Sequence, residues 1–242
     1  MQMATANKGR LYLIPSPLGE NDPSEVIPSF VLDTVRHIDR YVVEEVRTAR
    51  RYLSKAGLKG HIDTLEFITL NEHSSAEDVE AMASLFDDGH DVGLISEAGL
   101  PAVADPGALL VALCHRIGVE VMPLVGPSSL MMALMASGLN GQSFAFRGYL
   151  PAKTDERRSA IRAIEKCSAS CKQTQIFIET PYRNDQMFAD LLQTCAPGTL
   201  ICLAVNITMP DQFIRTMSTA QWKKNPVVIG KRPCVFLISA QS

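Results

Sequence analysis

The stretch Leu94-Ile-Ser-Glu-Ala-Gly-Leu-Pro-Ala-Val-Ala-Asp-Pro-Gly107 constrains this chain more than any other. Val92 to Ile95 is an apolar run of the length a buried strand needs, and Leu109 onward returns to helical spacing. Between them Gly99, Pro101, Pro106 and Gly107 interrupt regular structure, which predicts a strand, an irregular loop and a helix start. Asp105-Pro106 suits the helix entry. The carboxylate can accept from first-turn N–H groups, and a proline there loses no bond it needed. A long loop at a strand's carboxyl end is where open α/β sheets bind ligands. On this stretch alone, a ligand loop and a breaker-rich connection explain the residues equally well.

Two further loops follow strands in the same way. Arg10 to Ile14 reads as a strand halted by Pro15-Ser-Pro-Leu-Gly19. Val119 to Val125 reads as another, followed by Gly126-Pro-Ser-Ser129 and the apolar run Leu130 to Ala136. That helix start offers N–H groups and two hydroxyls to a polar ligand. Between these loops lie a helix through Phe30 and Ile38, a strand Tyr41 to Val43 ending at Glu44-Glu45, and a basic helix carrying Arg47, Arg50, Arg51 and Lys55. A strand Leu65 to Leu70 and a helix with a core stripe of Val79, Met82, Ala83 and Phe86 follow. This alternation predicts a mostly parallel α/β sheet with right-handed crossovers.

Gly141, Gly148 and Pro151 break the periodicity, so a domain boundary is expected there, with domains at 1–140 and 141–242. The second half has fewer helices per strand. A charged helix over Lys153 to Lys166, a strand ending at Ile178-Glu179-Thr-Pro-Tyr-Arg183, and strands at 199–205, 213–216 and 234–239 predict a mixed α+β sheet.

Composition narrows the function. With 46% hydrophobic residues the chain is globular, and a net charge of −3 argues against an evenly basic nucleic-acid binder while leaving room for a local basic patch. The usual G-x-G-x-x-G and G-x-x-x-x-G-K phosphate loops are absent, which disfavours NAD and ATP. Six cysteines without C-x-x-C spacing and five scattered histidines predict neither disulfides nor a metal site. No apolar run reaches membrane-spanning length, and Met1 to Arg10 lacks a signal-type apolar core, so a cytoplasmic protein is expected.

Taken in order, Leu11-Tyr-Leu-Ile-Pro-Ser-Pro-Leu-Gly19, Glu44-Glu-Val-Arg-Thr48, Leu94 to Pro101 with Ala104-Asp-Pro-Gly107, Leu124-Val-Gly-Pro-Ser-Ser129, Gly148-Tyr-Leu-Pro151 and Glu179-Thr-Pro-Tyr-Arg183 span nearly the whole chain. Each motif is weak alone; their order and spacing are specific. Together they resemble the tetrapyrrole methylase superfamily of S-adenosyl-L-methionine dependent methyltransferases, and within it the bacterial small-subunit rRNA ribose 2′-O-methyltransferases.

The resemblance implies a two-domain fold with the ligand cleft between the domains, a homodimer, and a set of S-adenosylmethionine contacts. These are Pro17 and Leu18 from the first loop, Ser96, Glu97, Ala98 and Gly99 from the anchor loop, and Ser128 and Ser129 from the fifth-strand loop. Ile178, Glu179, Val205 and Asn206 come from the second domain, and Asp105 is equally explained as a helix cap. Glu45, Arg47 and Arg183 are the acceptor-side candidates: the carboxylate to take or orient a proton, the guanidiniums for phosphate. Arg50, Arg51, Lys55, Lys153, Arg157, Arg158, Arg162 and Lys166 would join Arg47 along a phosphate track.

Departures touch the acceptor chemistry more than the cofactor set. Val46 stands where the rRNA enzymes carry threonine, Glu97 and Leu100 where they carry Asp and Thr, Ala104 where they carry Ser, and Val205-Asn-Ile-Thr-Met209 where they read Arg-Glu-Leu-Thr-Lys. Methylation of rRNA in the small ribosomal subunit is therefore the first expectation. Methylation of a tetrapyrrole or other small molecule, and a paralogue that binds S-adenosylmethionine with little turnover, are the alternatives.

Overall fold

The computed structural model describes residues 8–240, so the N-terminal reading over residues 1–7 lies outside the described residues. The chain forms two compact units that divide between Ser128 and Ser129.

In chain order the first unit contains β1 (Leu11–Ile14), α1 (Pro23–Val26), α2 (Ser29–Val35), β2 (Arg40–Val43), α3 (Val46–Leu53), β3 (Glu66–Thr69), α4 (Ala76–Ala81), β4 (Val92–Ile95), α5 (Gly107–Ile117) and β5 (Val121–Pro123). Its five strands run in the order β3-β2-β4-β1-β5, every pair parallel, with Leu11 opposite Val92 and Val121. Period-two alternation sends Ile14, Tyr41, Val43 and Ile95 into one core with α2 and α3, and Leu11, Val42, Val92 and Leu94 into another with α5. A sheet covered on both faces needs apolar residues at successive positions, which is why β4 is buried throughout. Gly93 has a packing reason. A Cβ there would come within 2.6 Å of Ile14 Cδ1 and 2.8 Å of Tyr41 Cδ1.

The second unit contains α6 (Ser129–Ser137), β6 (Phe144–Tyr149), α7 (Thr154–Cys171), β7 (Thr174–Ile178), α8 (Asn184–Thr194), β8 (Leu200–Val205), β9 (Phe213–Ser218), α9 (Thr219–Lys224) and β10 (Cys234–Ser239). Its sheet runs β6-β7-β10-β8-β9, with β6 and β7 parallel and the other pairs antiparallel. Phe177, Leu203 and Phe236 meet α7 and α8 around Trp222, whose indole N–H donates to Ile201 O at 2.9 Å. Phe188 meets Trp222 edge-on.

Two features depart from the expected organisation. The residues Phe144 to Tyr149, expected as part of a boundary, form an edge strand, with Gly148 at φ +65 beside a register shift. And α6 lies against β8, β9 and β10, with Thr216 Oγ1 donating to Ser137 O at 2.7 Å, so the unit begins at Ser129 rather than residue 141.

Candidate active site

In the first unit the loops after β1, β4 and β5 are joined by short, specific contacts at the carboxyl edge of the parallel sheet. Ser16 and Gly99 exchange backbone hydrogen bonds of 2.9 and 3.1 Å, and Ser16 Oγ donates to Ser96 O at 3.2 Å. Tyr52 Oη donates to Pro15 O at 2.9 Å, fixing the start of the first loop from α3. Gly99 sits at φ +78, a conformation that costs glycine little, with Leu18 beside it. The backbone at Gly126 meets Pro15 so closely that a Cβ would fall 2.2 Å from Pro15 Cβ. These bonds bring Pro17, Leu18, Ser96, Ala98 and Gly99 onto neighbouring strand ends.

Asp105 organises the rest of the anchor loop. Its carboxylate accepts from Gly107 N at 2.7 Å, the capping role expected, and also from Ala102 N at 2.9 Å. Ala102 and Ala104 both lie at φ +63, a strained conformation for alanine that these bonds help hold. Burial raises the Asp105 pKa, opposed by the hydrogen bonds it accepts and by the Ser96 hydroxyl. Ser96 Oγ is buried and has no partner at ordinary hydrogen-bond geometry. It lines a small open pocket together with Glu44, Leu94, Asp105 and Gly107. A buried hydroxyl on a pocket wall, near Asp105 but without a well-formed bond, is a place for a ligand atom.

The pair at the end of β2 divides its roles. Glu45 accepts from Arg47 N (2.9 Å), Thr48 N (2.6 Å) and Thr48 Oγ1 (2.9 Å), capping α3. Those bonds lower its pKa, so the carboxylate expected to take a proton is committed to the helix start and is a weak base. Glu44 has the opposite character. Half-buried at the pocket, its pKa is raised by burial and by Glu97, Asp105 and Glu72, against one hydrogen bond from Glu97 N. Sequence reasoning did not single out Glu44; the signal was a second acid at a strand end, which pattern alone cannot rank. Arg47 and Glu97 are exposed beside this edge, and Ser128 closes the unit.

The second unit gathers its candidates at one sheet end. Ile178 lies opposite Val235, and Val205 opposite Cys234, so the ends of β7 and β8 flank the start of β10. Glu179 follows, its side chain buried. Its Oε1 accepts from Thr180 N (2.6 Å) and from Arg183 Nε and Nη2 (3.0 and 2.6 Å), whereas Oε2 is buried without a partner. Arg183 is therefore already engaged by a carboxylate, with a partly exposed side chain. Val205 is fully buried in the second core, so its side chain is unavailable to a ligand. Asn206, at φ +50, donates from its side chain to Asp211 Oδ1 at 2.7 Å. Ser129 begins α6.

Much of the expected phosphate track is spoken for. Arg157 and Arg158 bind the buried Asp190, Arg50 binds Asp63, and Arg51 and Lys55 face Glu20. Lys153 faces Glu156, while Arg47, Arg162 and Lys166 are exposed. The reason is local: an arginine near the start of a long amphipathic helix can turn inward when a facing helix supplies a buried acid.

Residues 31–222 match the family model of tetrapyrrole (corrin/porphyrin) methylases. The chain belongs to the tetrapyrrole methylase family. The ribosomal RNA small subunit methyltransferase I of Vibrio cholerae is 33% identical over 211 residues, covering 87% of this chain and 69% of that one. The protein of the same name from Escherichia coli O157:H7 is 30% identical over 207 residues, covering 86% and 68%. Among solved structures, the methyltransferase CobJ matches with a TM-score of 0.61 at 16% identity over 96% of this chain and 94% of its own. Uroporphyrin III C-methyltransferase from Thermus thermophilus matches at 0.60 and 17% identity, covering 96% and 97%. This tetrapyrrole methylase is thus a methyltransferase with the family's two-unit fold: a parallel sheet followed by a mixed one. Among the described residues no helix is long and apolar enough to cross a membrane.

Proposed function

We propose that this methylase uses S-adenosylmethionine to methylate a ribose 2′-hydroxyl of small-subunit rRNA. The observation that carries the acceptor is the 33% identity to a small-subunit rRNA methyltransferase over 87% of the chain. The cofactor reading is supported by two buried polar atoms lacking partners, Ser96 Oγ in the first unit and Glu179 Oε2 in the second. Each would receive a polar ligand atom, the hydroxyl as donor or acceptor and the carboxylate oxygen as acceptor. A related Thermus thermophilus enzyme has been crystallised with S-adenosylhomocysteine.

When bound, S-adenosylmethionine supplies a methyl group on a positively charged sulfur that leaves as a neutral thioether. Pro17, Leu18, Ala98 and Gly99 would supply apolar wall and backbone, and Ser96, Glu97, Asp105, Ser128, Ser129, Ile178, Glu179 and Asn206 the remaining contacts. Val205 would contribute through its backbone. Glu44, rather than the capping Glu45, holds the proton of the attacking hydroxyl, because a desolvated carboxylate is the better base at neutral pH. Arg47 and Arg183 orient the acceptor phosphates. The reading includes a cytoplasmic setting and a homodimer, for which α6 leaves Met135 79% exposed.

Glu44→Gln is expected to lower kcat about 100-fold or more, within the usual worth of a general base, while Glu45→Gln, which keeps a capping oxygen, stays within about 3-fold. The wild-type kcat/KM should fall in acid with an apparent pKa above the ordinary glutamate value of 4.5, since the base must be ionised and its pKa is raised. Equal losses in both variants would return the base role to the capping residue or remove it from this strand end.

A further inference from the structure

The turn after β7 carries a feature that neither cofactor binding nor the core explains. Tyr182 is 80% exposed, more than Tyr149 at 57%, whereas Tyr41 and Tyr52 are buried with their hydroxyls bonded to backbone carbonyls. Lys231 Nζ stands 5.0 Å from the centre of the Tyr182 ring. Lys231 forms no ion pair with a carboxylate among the described residues, and Val228, 76% exposed, lies on the same loop.

This arrangement is held in place rather than left to chance. The Asp185 carboxylate accepts from Ile229 N at 2.8 Å and Gly230 N at 3.1 Å. The fully buried Asn184 donates from Nδ2 to Arg232 O at 2.7 Å. Ile229 is itself buried, anchoring the loop from below. Residues 184 and 185 directly follow the Tyr182 turn, so the same few residues tie that turn to the backbone on either side of Lys231. An exposed aromatic ring on a tethered backbone, with a cation at its face, offers a stacking surface, and every nucleobase has a flat face to stack on it.

We infer that Tyr182 and Lys231 form a stacking platform for an unpaired nucleobase of the RNA acceptor, with Lys231 serving the adjoining phosphate. The inference rests on the rRNA reading above and adds a site outside the cofactor contacts. It selects for single-stranded RNA, because bases inside a helix have no free face to present.

The test measures affinity by fluorescence anisotropy for a fluorescein-labelled single-stranded RNA of small-subunit rRNA sequence, for the same sequence as a duplex, and for heparin. Tyr182→Ala is expected to weaken single-strand binding about 10-fold and leave duplex and heparin binding within about 2-fold, with Tyr182→Trp restoring affinity. Lys231→Ala should reduce the slope of log affinity against log salt by about one. Unchanged thermal midpoints would verify that the variants fold, and Tyr182→Leu, which keeps side-chain bulk without an aromatic face and should weaken single-strand binding as alanine does, covers the case in which alanine does not. If wild-type protein binds the RNA and neither Tyr182→Ala nor Lys231→Ala changes that binding, the platform is wrong and the rRNA reading stands. Equal losses for RNA and heparin would also overturn it, marking a purely ionic surface. A wild-type protein that binds neither this RNA nor small ribosomal subunits overturns both.

Discussion

Asp190→Ala should destabilise the protein by about 3–5 kcal/mol, read as a lowered urea midpoint at unchanged slope. Asp190 has a fully buried side chain at which two arginines converge: Arg157 Nε donates to Oδ2 at 2.8 Å and Arg158 Nε to Oδ1 at 2.8 Å. Arg157 is itself only 2% exposed and has few other acceptors, chiefly Ala152 O. Removing the carboxylate leaves a buried guanidinium without its counter-charge, and α7 loses its main polar tie to α8. Asp190→Asn keeps an acceptor and should cost less. Burial pushes the Asp190 pKa up, but hydrogen bonds from Arg157, Arg158 and Gln186 more than reverse it, leaving it below the ordinary aspartate value. A depressed native pKa stabilises fully above the unfolded pKa and is lost as pH falls through the native one. The wild-type advantage over Asp190→Asn should therefore shrink in strong acid. An Asp190→Ala protein of wild-type stability would mean that the pair contributes nothing net to the fold.

Gly126→Ala should lower affinity for S-adenosylhomocysteine at least 10-fold while costing about 1–3 kcal/mol of stability, the usual range for overpacking. The added Cβ would fall 2.2 and 2.3 Å from Pro15 Cβ and Cγ. Proline is a poor neighbour to displace: its ring has no rotamer to move into, and its carbonyl is tied to Tyr52. The loops after β1 and β5 must separate, carrying Pro17, Leu18 and Ser128 with them. Gly141→Ala is the matched control, since a Cβ there meets nothing within 4 Å. Its stability and affinity should stay near wild type, measured by thermal melting and calorimetric titration. Wild-type affinity in Gly126→Ala would show that the spacing of these two loops does not set the ligand site.

How much of this is legible in the sequence depends on what kind of force places each residue. The parallel sheet is legible because its strands are apolar runs closed by proline and glycine, and both signals are local. The same signals mislead at Phe144 to Tyr149. There Gly148 marks a bulge within an edge strand, which resembles a linker until its partner β7 is known. The extent of α6's unit depends on which sheet its apolar face meets, and periodicity cannot name a partner.

The candidate site divides in the same way. Asp105 as a cap follows from its neighbours alone, and the structure adds only the second bond to Ala102. The exchange of roles between Glu44 and Glu45 does not follow, because it turns on which carboxylate reaches the first N–H groups of α3 and which lines the pocket beside Ser96. Charge patterning places Arg157 on the basic face of α7, but a buried partner 33 residues away draws it inward. The loss of charge at Val205, by contrast, agrees with its place in the second core.

The most direct test of the central claim supplies the purified protein with S-adenosylmethionine labelled in the methyl group and with small ribosomal subunits from a strain lacking this protein. The recovered rRNA is then hydrolysed in alkali. A 2′-O-methyl group removes the hydroxyl that attacks the neighbouring phosphodiester, so the account predicts label in an alkali-stable dinucleotide, about one methyl per subunit, and far less with Glu44→Gln. Protein that binds S-adenosylhomocysteine but transfers no label to the subunits or their RNA, or that labels bases rather than ribose, would contradict it.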